Sequence, residues 1–216
     1  MKPESFFTGN LFPAIVLALL TSCNQQPVVK FESPQPSGQK DLSEFPTRFV
    51  GSYRNDDALM IVAPATVLYR NEADLVEHRD SLNIYFDFAG DTVIEKSSGE
   101  KFGAVIKGDS VYWRYTTGFD TVFAIDKGGK LRKLKGYYFL NHPIDSGMWE
   151  VKKLSFPGNK LVVGIIADST DIAKLQEITE TVADSLKTFN PSRKQFRKYV
   201  RHDGFGYETV FYRVKD

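Results

Sequence analysis

The chain has 216 residues, 42% of them apolar and 25% charged, with a formal net charge of +1. These proportions exclude wholesale disorder and a polytopic membrane protein, and the length suits one ordinary domain with a real core, or two small ones at most. Near-zero net charge leaves no global field to draw nucleic acid or an acidic substrate toward it, and a lone cysteine rules out an internal disulfide.

Taken in chain order, the first element is apolar. Residues 11–20, "LFPAIVLALL", are interrupted only by Pro13 and run directly into "TSC". A helix of this length spans ~15 Å, about half a bilayer's hydrocarbon core, so it is too short to cross but has the size of a signal-peptide hydrophobic region. Lys2 precedes it, partly offset by Glu4. Leu20-Thr21-Ser22-Cys23 resembles the lipobox of bacterial lipoproteins, in which small residues admit the backbone to a peptidase groove and the thiol accepts a diacylglycerol. The resemblance covers only this leader. It implies removal of residues 1–22, lipidation of Cys23 and acylation of the new amino terminus. Asn24 stands where an aspartate marks inner-membrane retention in that family. The implied address is therefore the cell envelope, anchored to the outer membrane and facing the periplasm. Several acyl chains at ~0.8 kcal/mol per buried CH₂ would tether the protein durably.

Residues 23–44 follow, with prolines, Gln and Ser and little to bury, and the composition predicts a lipidated flexible tether. The folded part is then expected over 45–216 as a single β-rich domain. "LNIYFDF" (82–88) and "SVYWRYTT" (110–117) alternate with period two; "DTVFAID", "KGYYFLN", "MWEVKKLSF", "KLVVGIIA" and "TVFYRV" also read as strands. Short turn signals, "AGD", "KGDS", "DKGGK" and "PGN", predict hairpins between neighbours. Aromatic content of 13% fits. The expected architecture is mainly β with two C-terminal helices: an antiparallel meander, curved as an open sheet or closed as a barrel, completed by the final strand.

The helices are predicted near 169–187 and 191–202. The first carries Asp168 and Ser169 as cap candidates and an apolar stripe of Ile172, Leu175, Ile178, Val182 and Leu186. The second opens on Asn190-Pro191 with a Ser192–Gln195 capping box and stops at Gly204. "FVGSYRND" (49–56), with Gly51 before Tyr53, resembles the Gly-x-Trp signature that opens lipocalin barrels, with Tyr in place of Trp. A meander followed by a helix and a closing strand is also similar to that family. The resemblance implies a barrel holding a small apolar ligand.

Candidate functional residues are few. His78, His142 and His202 are far apart and lack partners at zinc-ligand spacing, so no metal and no cofactor is expected. No nucleophile elbow, dinucleotide turn or P-loop occurs, and no catalytic residue is named. Tyr53, Trp113 and Trp149 are the aromatics that would line a ligand cavity. Arg193, Lys194, Arg197, Lys198 and Arg201 fall on one arc of the second helix, opposite Phe196, Tyr199 and Val200. Such a face contacts an anionic surface or is simply solvated over a packed core. "KGGKLRKLK" (127–135) reads as a polar hairpin tip. The leading expectation is a non-enzymatic, membrane-anchored binding or carrier module for a small apolar ligand or peptide. The alternative is an assembly partner of an outer-membrane protein complex; the third is a hydrolase built from distant residues. Export would remove the chain from nucleic acid.

Overall fold

The computed structural model describes residues 29–144, 147–180 and 187–215, so the leader, Cys23 and the site of its lipidation lie outside the described residues. In chain order the elements are β1 (Lys30–Phe31), β2 (Gly51–Arg54), β3 (Ala58–Val62), β4 (Thr66–His78), α1 (Arg79–Leu82), β5 (Phe86–Ala89), β6 (Thr92–Glu95), β7 (Lys101–Lys107), β8 (Ser110–Thr116) and β9 (Asp120–Ala124). They continue with β10 (Lys130–Leu134), β11 (Tyr137–Pro143), β12 (Trp149–Ser155), β13 (Lys160–Ile165), α2 (Ser169–Thr179), β14 (Thr188–Phe189), α3 (Arg193–Arg201) and β15 (Tyr207–Arg213).

Among the described residues the strands form one curved sheet, ordered β10-β11-β12-β13-β15-β2-β3-β4-β8-β7-β6-β5, with β9 on β4 and β1 on β12 and β14. Among the described strands only β1 and β14 run parallel, which makes the sheet mixed. The mainly β fold and the curved sheet match the sequence expectation; a closed, lipocalin-like barrel is not what forms. β9 and β10 are consecutive in the chain, yet β9 pairs with β4 and β10 with β11. The second edge of β10 is taken by Leu42, whose N–H donates to the Leu131 carbonyl at 2.7 Å. "DKGGK" therefore turns the chain without making a hairpin. The final strand does not seal an edge: β15 lies inside the sheet, between β13 and β2.

Thirteen residues long, β4 serves two partners in succession. Its first half pairs with β3 and β9, its second half with β8. The sheet thus divides into a main body and an arm, β8-β7-β6-β5, that continues from the C-terminal half of β4. Each has its own core. Inside the curve of the body, Phe45, Tyr53, Val62, Val67, Phe123, Leu131, Tyr138, Leu140, Leu154, Leu161 and Phe211 are buried together. On the outer face of β11 and β12, alternate residues Phe139 and Val151 meet α2 and α3 through Ile172, Leu175, Phe196 and Tyr199. In the arm, Trp113 packs edge-on to Phe86 and Phe102.

Several local expectations change. Residues 82–85 are not strand: α1 ends at Leu82, the chain turns, and Ile84 is 71% exposed while Leu82 is buried. The His78 ring caps this turn by accepting the Asp80 N–H. α2 stops at Thr179, short of 187, because Glu180 adopts φ +55°; Val182 and Leu186 lie outside the described residues. The cap at Asp168 forms as expected, its carboxylate accepting the Asp171 N–H at 2.7 Å. In α3 the Ser192–Gln195 capping box is present. Gly204 acts by packing, since a Cβ there would lie 2.5 Å from the Tyr199 ring.

The larger correction concerns the tether. From Val29 onward it belongs to the body: Val29, Phe31 and Gln35 are fully or nearly fully buried. Arg132 of β10 donates to the Pro34 and Pro36 carbonyls and pairs with Asp41, and the Asn141 amide donates to the Gln35 carbonyl at 2.8 Å. Within the basic run 127–135 the segment Lys130–Leu134 is accordingly a strand, whose Arg132 fastens residues 34–41, and only Lys135 lies at the tip of the β10–β11 hairpin.

Candidate functional site

The core inside the curved sheet is not filled to its end. Moving up β3 from Val62 one meets Met60 and Ala58; up β15 from Phe211, Thr209 and Tyr207; up β13 from Leu161, Val163 and Ile165. These side chains, with Tyr69 of β4 and Val122 of β9, border a half-open pocket of about 380 Å³. Apolar pockets of a few hundred Å³ with sparse polar groups are the usual form of small-molecule sites.

One feature of the backbone aims a side chain into it. β9 follows β4 with Phe123 opposite Val67 and Thr121 opposite Leu68, so Val122 is the extra residue of a bulge. A bulge bends its strand and redirects the inserted side chain. Val122 and Phe123 both point into the curve as a result. The rim is polar: Asn55 and Asp57 from the β2–β3 loop, Lys152 of β12, and the hydroxyls of Tyr69, Tyr207 and Thr209. The Tyr69 hydroxyl donates to Asn71 at 2.7 Å. Burial, with the nearby Asp57 carboxylate, pushes its pKa above the ordinary phenol value. Lys152 is paired with Glu150 at 2.6 Å, so the mouth carries little net charge beyond Asp57.

The aromatics singled out in the sequence do not converge here. Tyr53 lies lower in the same core, 2% exposed, its hydroxyl donating to the Phe49 carbonyl; burial raises its pKa, partly offset by Arg213. Trp113 belongs to the arm and Trp149 to the helix-covered face. The pocket residues Met60, Tyr69, Val122, Val163, Tyr207 and Phe211 come from five strands; the sequence places Val122, Val163 and Phe211 in strands, but nothing in it brings them together.

Two charged regions complete the inventory. Glu72 of β4 is buried, and three guanidiniums surround its carboxylate: Arg54 at 2.9 Å, Arg70 at 2.7 Å and Arg114 at 3.4 Å. Phe119 covers the Arg70 guanidinium, its ring centroid 4.7 Å away. This network sits where β4 changes partners. Along α3, Phe196, Tyr199 and Val200 are buried while Arg193, Lys194, Lys198 and Arg201 are exposed and Arg197 is half-buried. The five basic residues named from the sequence therefore share the outward side of one helix. Burial pushes the Tyr199 hydroxyl well up, and it accepts the Phe205 N–H.

Among the described residues no three His, Cys, Asp or Glu side chains group as metal ligands, and no helix is long and apolar enough to cross a membrane. No family model, curated protein or solved structure matches the chain.

Proposed function

We propose that this chain is a lipid-anchored envelope module that holds a small apolar ligand, or the apolar end of a larger one, in the pocket at the open end of the curved sheet. The observation that carries this reading is the unfilled continuation of the core, apolar between Met60, Val122, Val163 and Phe211 and polar only at its rim. An apolar guest there would complete a hydrophobic interior that the protein's own side chains leave short. Cys23 is the proposed anchor, and the envelope the proposed address.

The test is titration with an apolar fluorescent probe such as N-phenyl-1-naphthylamine, alongside native mass spectrometry for a retained ligand. Met60→Trp and Val163→Trp fill the pocket and are expected to weaken probe binding roughly tenfold or more while far-ultraviolet circular dichroism stays unchanged. Equal binding by wild type and both variants would overturn the reading.

A second reading has its own observation. On the uncovered face of the arm, Val76, Tyr112 and Val105 stand side by side in register across β4, β8 and β7, 61%, 42% and 56% exposed. A contiguous exposed apolar row suits a protein partner in an envelope assembly. A photo-crosslinker at Val105 should then yield one discrete adduct in cells; no adduct removes this reading.

A further inference from the structure

We propose that α3 is the face by which the protein lies against the anionic headgroups of the membrane that anchors it. This rests on the anchoring reading above and adds an orientation to it.

Three observations carry it. First, among the described residues the cations of α3 make no ion pair. Arg54, Arg70, Arg114, Lys130, Arg132, Lys152, Lys153 and Lys174 all pair with carboxylates. Among the described residues none of Arg193, Lys194, Arg197, Lys198 and Arg201 does. Second, their placement opposes helix stability. Lys198 and Arg201 in the last turn suit the helix dipole, but Arg193 and Lys194 occupy the first turn, which holds no acid. Cations there face the positive end of the dipole. A helix that needed only solubility would carry acids at that end.

Third, the chain arrives at the membrane beside this helix. Val29 and Phe31 are packed in the helix-covered core, and the Phe31 ring lies 6.3 Å from that of Phe196. β1 runs alongside β14, which leads directly into α3, and the Lys30 N–H donates to the Lys187 carbonyl at 3.1 Å. Residues 24–28, "NQQPV", are all that separate Cys23 from Val29, and they are uncharged. Six residue steps reach at most ~20 Å when fully extended, and about 13 Å as a flexible coil. An anchor at Cys23 would therefore hold Val29, beside α3, within roughly one and a half to two and a half Debye lengths of the headgroups at physiological salt, each about 8 Å. Lys30 and Lys187 add cations at the exit; among the described residues Glu180 borders α3, with Glu32 bonded to Asn190 ahead of its first turn and Asp203 two residues past its end. Basic residues held this close to anionic lipid bind it cooperatively with an acyl anchor.

The experiment reconstitutes the full lipidated chain into phosphatidylcholine vesicles with and without phosphatidylglycerol. Lysine acetylation is read by mass spectrometry. Lys194 and Lys198 should be protected several-fold on the anionic vesicles, with Lys101 on the arm unaffected, and the protection should vanish in high salt. Arg193→Gln with Arg201→Gln should reduce it. Equal labelling of Lys194 and Lys198 on both vesicle types would overturn the proposal, as would equal protection by inorganic phosphate alone, which would mark a free-anion site. Cys23→Ser separates the two readings: if wild type floats with vesicles no better than this variant, the anchor falls, while labelling of the vesicle-bound fraction still judges α3.

Discussion

Around Glu72 three guanidiniums share one buried carboxylate; along α3 three guanidiniums and two ammoniums share none among the described residues. Both regions are dense in arginine, and both lie on the outside of the sheet or its helical cover. In the first, charge is structural. Glu72 fastens β2, β4 and β8 at the point where β4 leaves the main body for the arm, and its own charge is tolerable only because the arginines surround it. In the second, the apolar side of the helix does the seating and the charges are left over. Counting charges along the chain does not separate these roles. Whether a carboxylate stands opposite does.

The contrast can be broken at four points. Phe196→Ala should have the largest effect, about 3–5 kcal/mol in urea unfolding, because the ring is fully buried against Phe31, Phe139 and Phe205. Little salt dependence is expected of that loss. Glu72→Gln should cost on the order of 3 kcal/mol, the low end for a broken buried pair, since the arginines keep partial access to water. Here the loss should shrink in high salt, as water and counterions relieve the stranded guanidiniums. A salt-independent loss at Glu72, or a salt-dependent one at Phe196, would erase the distinction between the regions.

Asp171 sharpens the comparison with a smaller, pH-dependent effect. Burial raises its pKa, opposed by the Gly206 N–H that its carboxylate accepts at 2.6 Å, and Asp168 raises it further. The folded state then binds the proton more tightly than the unfolded chain. Stability from this group is present below the ordinary carboxylate pKa and lost as pH rises through the raised folded value. Asp171→Asn should flatten the stability profile in that window, with no change in slope counting against a destabilising ionised form. Smallest of all, Arg193→Gln and Lys194→Gln should shift stability by less than about 0.5 kcal/mol, in the favourable direction, since each removes a cation from the helix start. A clear loss in unfolding experiments would show that α3's charges hold the fold after all.

How much was legible depended on the range of the interaction. α3 was readable because its signals are local: a capping box over four residues and a buried arc of Phe196, Tyr199 and Val200. The alternation of β8 was readable too, with Val111 and Trp113 buried and Tyr112 turned outward. β4 was not. Arg70, Glu72, Asp74 and Glu77 break its apolar pattern, and Glu72 is buried only because Arg54 and Arg114 arrive from other strands. Residues 29–44 looked like a tether because their composition is poor in apolar groups. What holds Pro34, Gln35, Pro36 and Asp41 comes from elsewhere, from Arg132 and Asn141 about a hundred residues on. The pocket was hidden for the same reason: it needs a bulge in β9 and side chains from β3, β4, β13 and β15.

By itself, then, the amino-acid sequence determined a mostly extended chain, the start of each long helix, and the basic and apolar sides of α3, all set by periodicity and capping within a turn or two of chain. Only tertiary structure decided that the sheet stays open, that β15 lies within it, that the supposed tether packs as part of the body, and which arginines find a carboxylate. Those outcomes depend on which strand edges and which buried groups are satisfied by residues distant in sequence, and edge pairing and charge burial are decided by what comes to lie opposite rather than by what is adjacent in the chain.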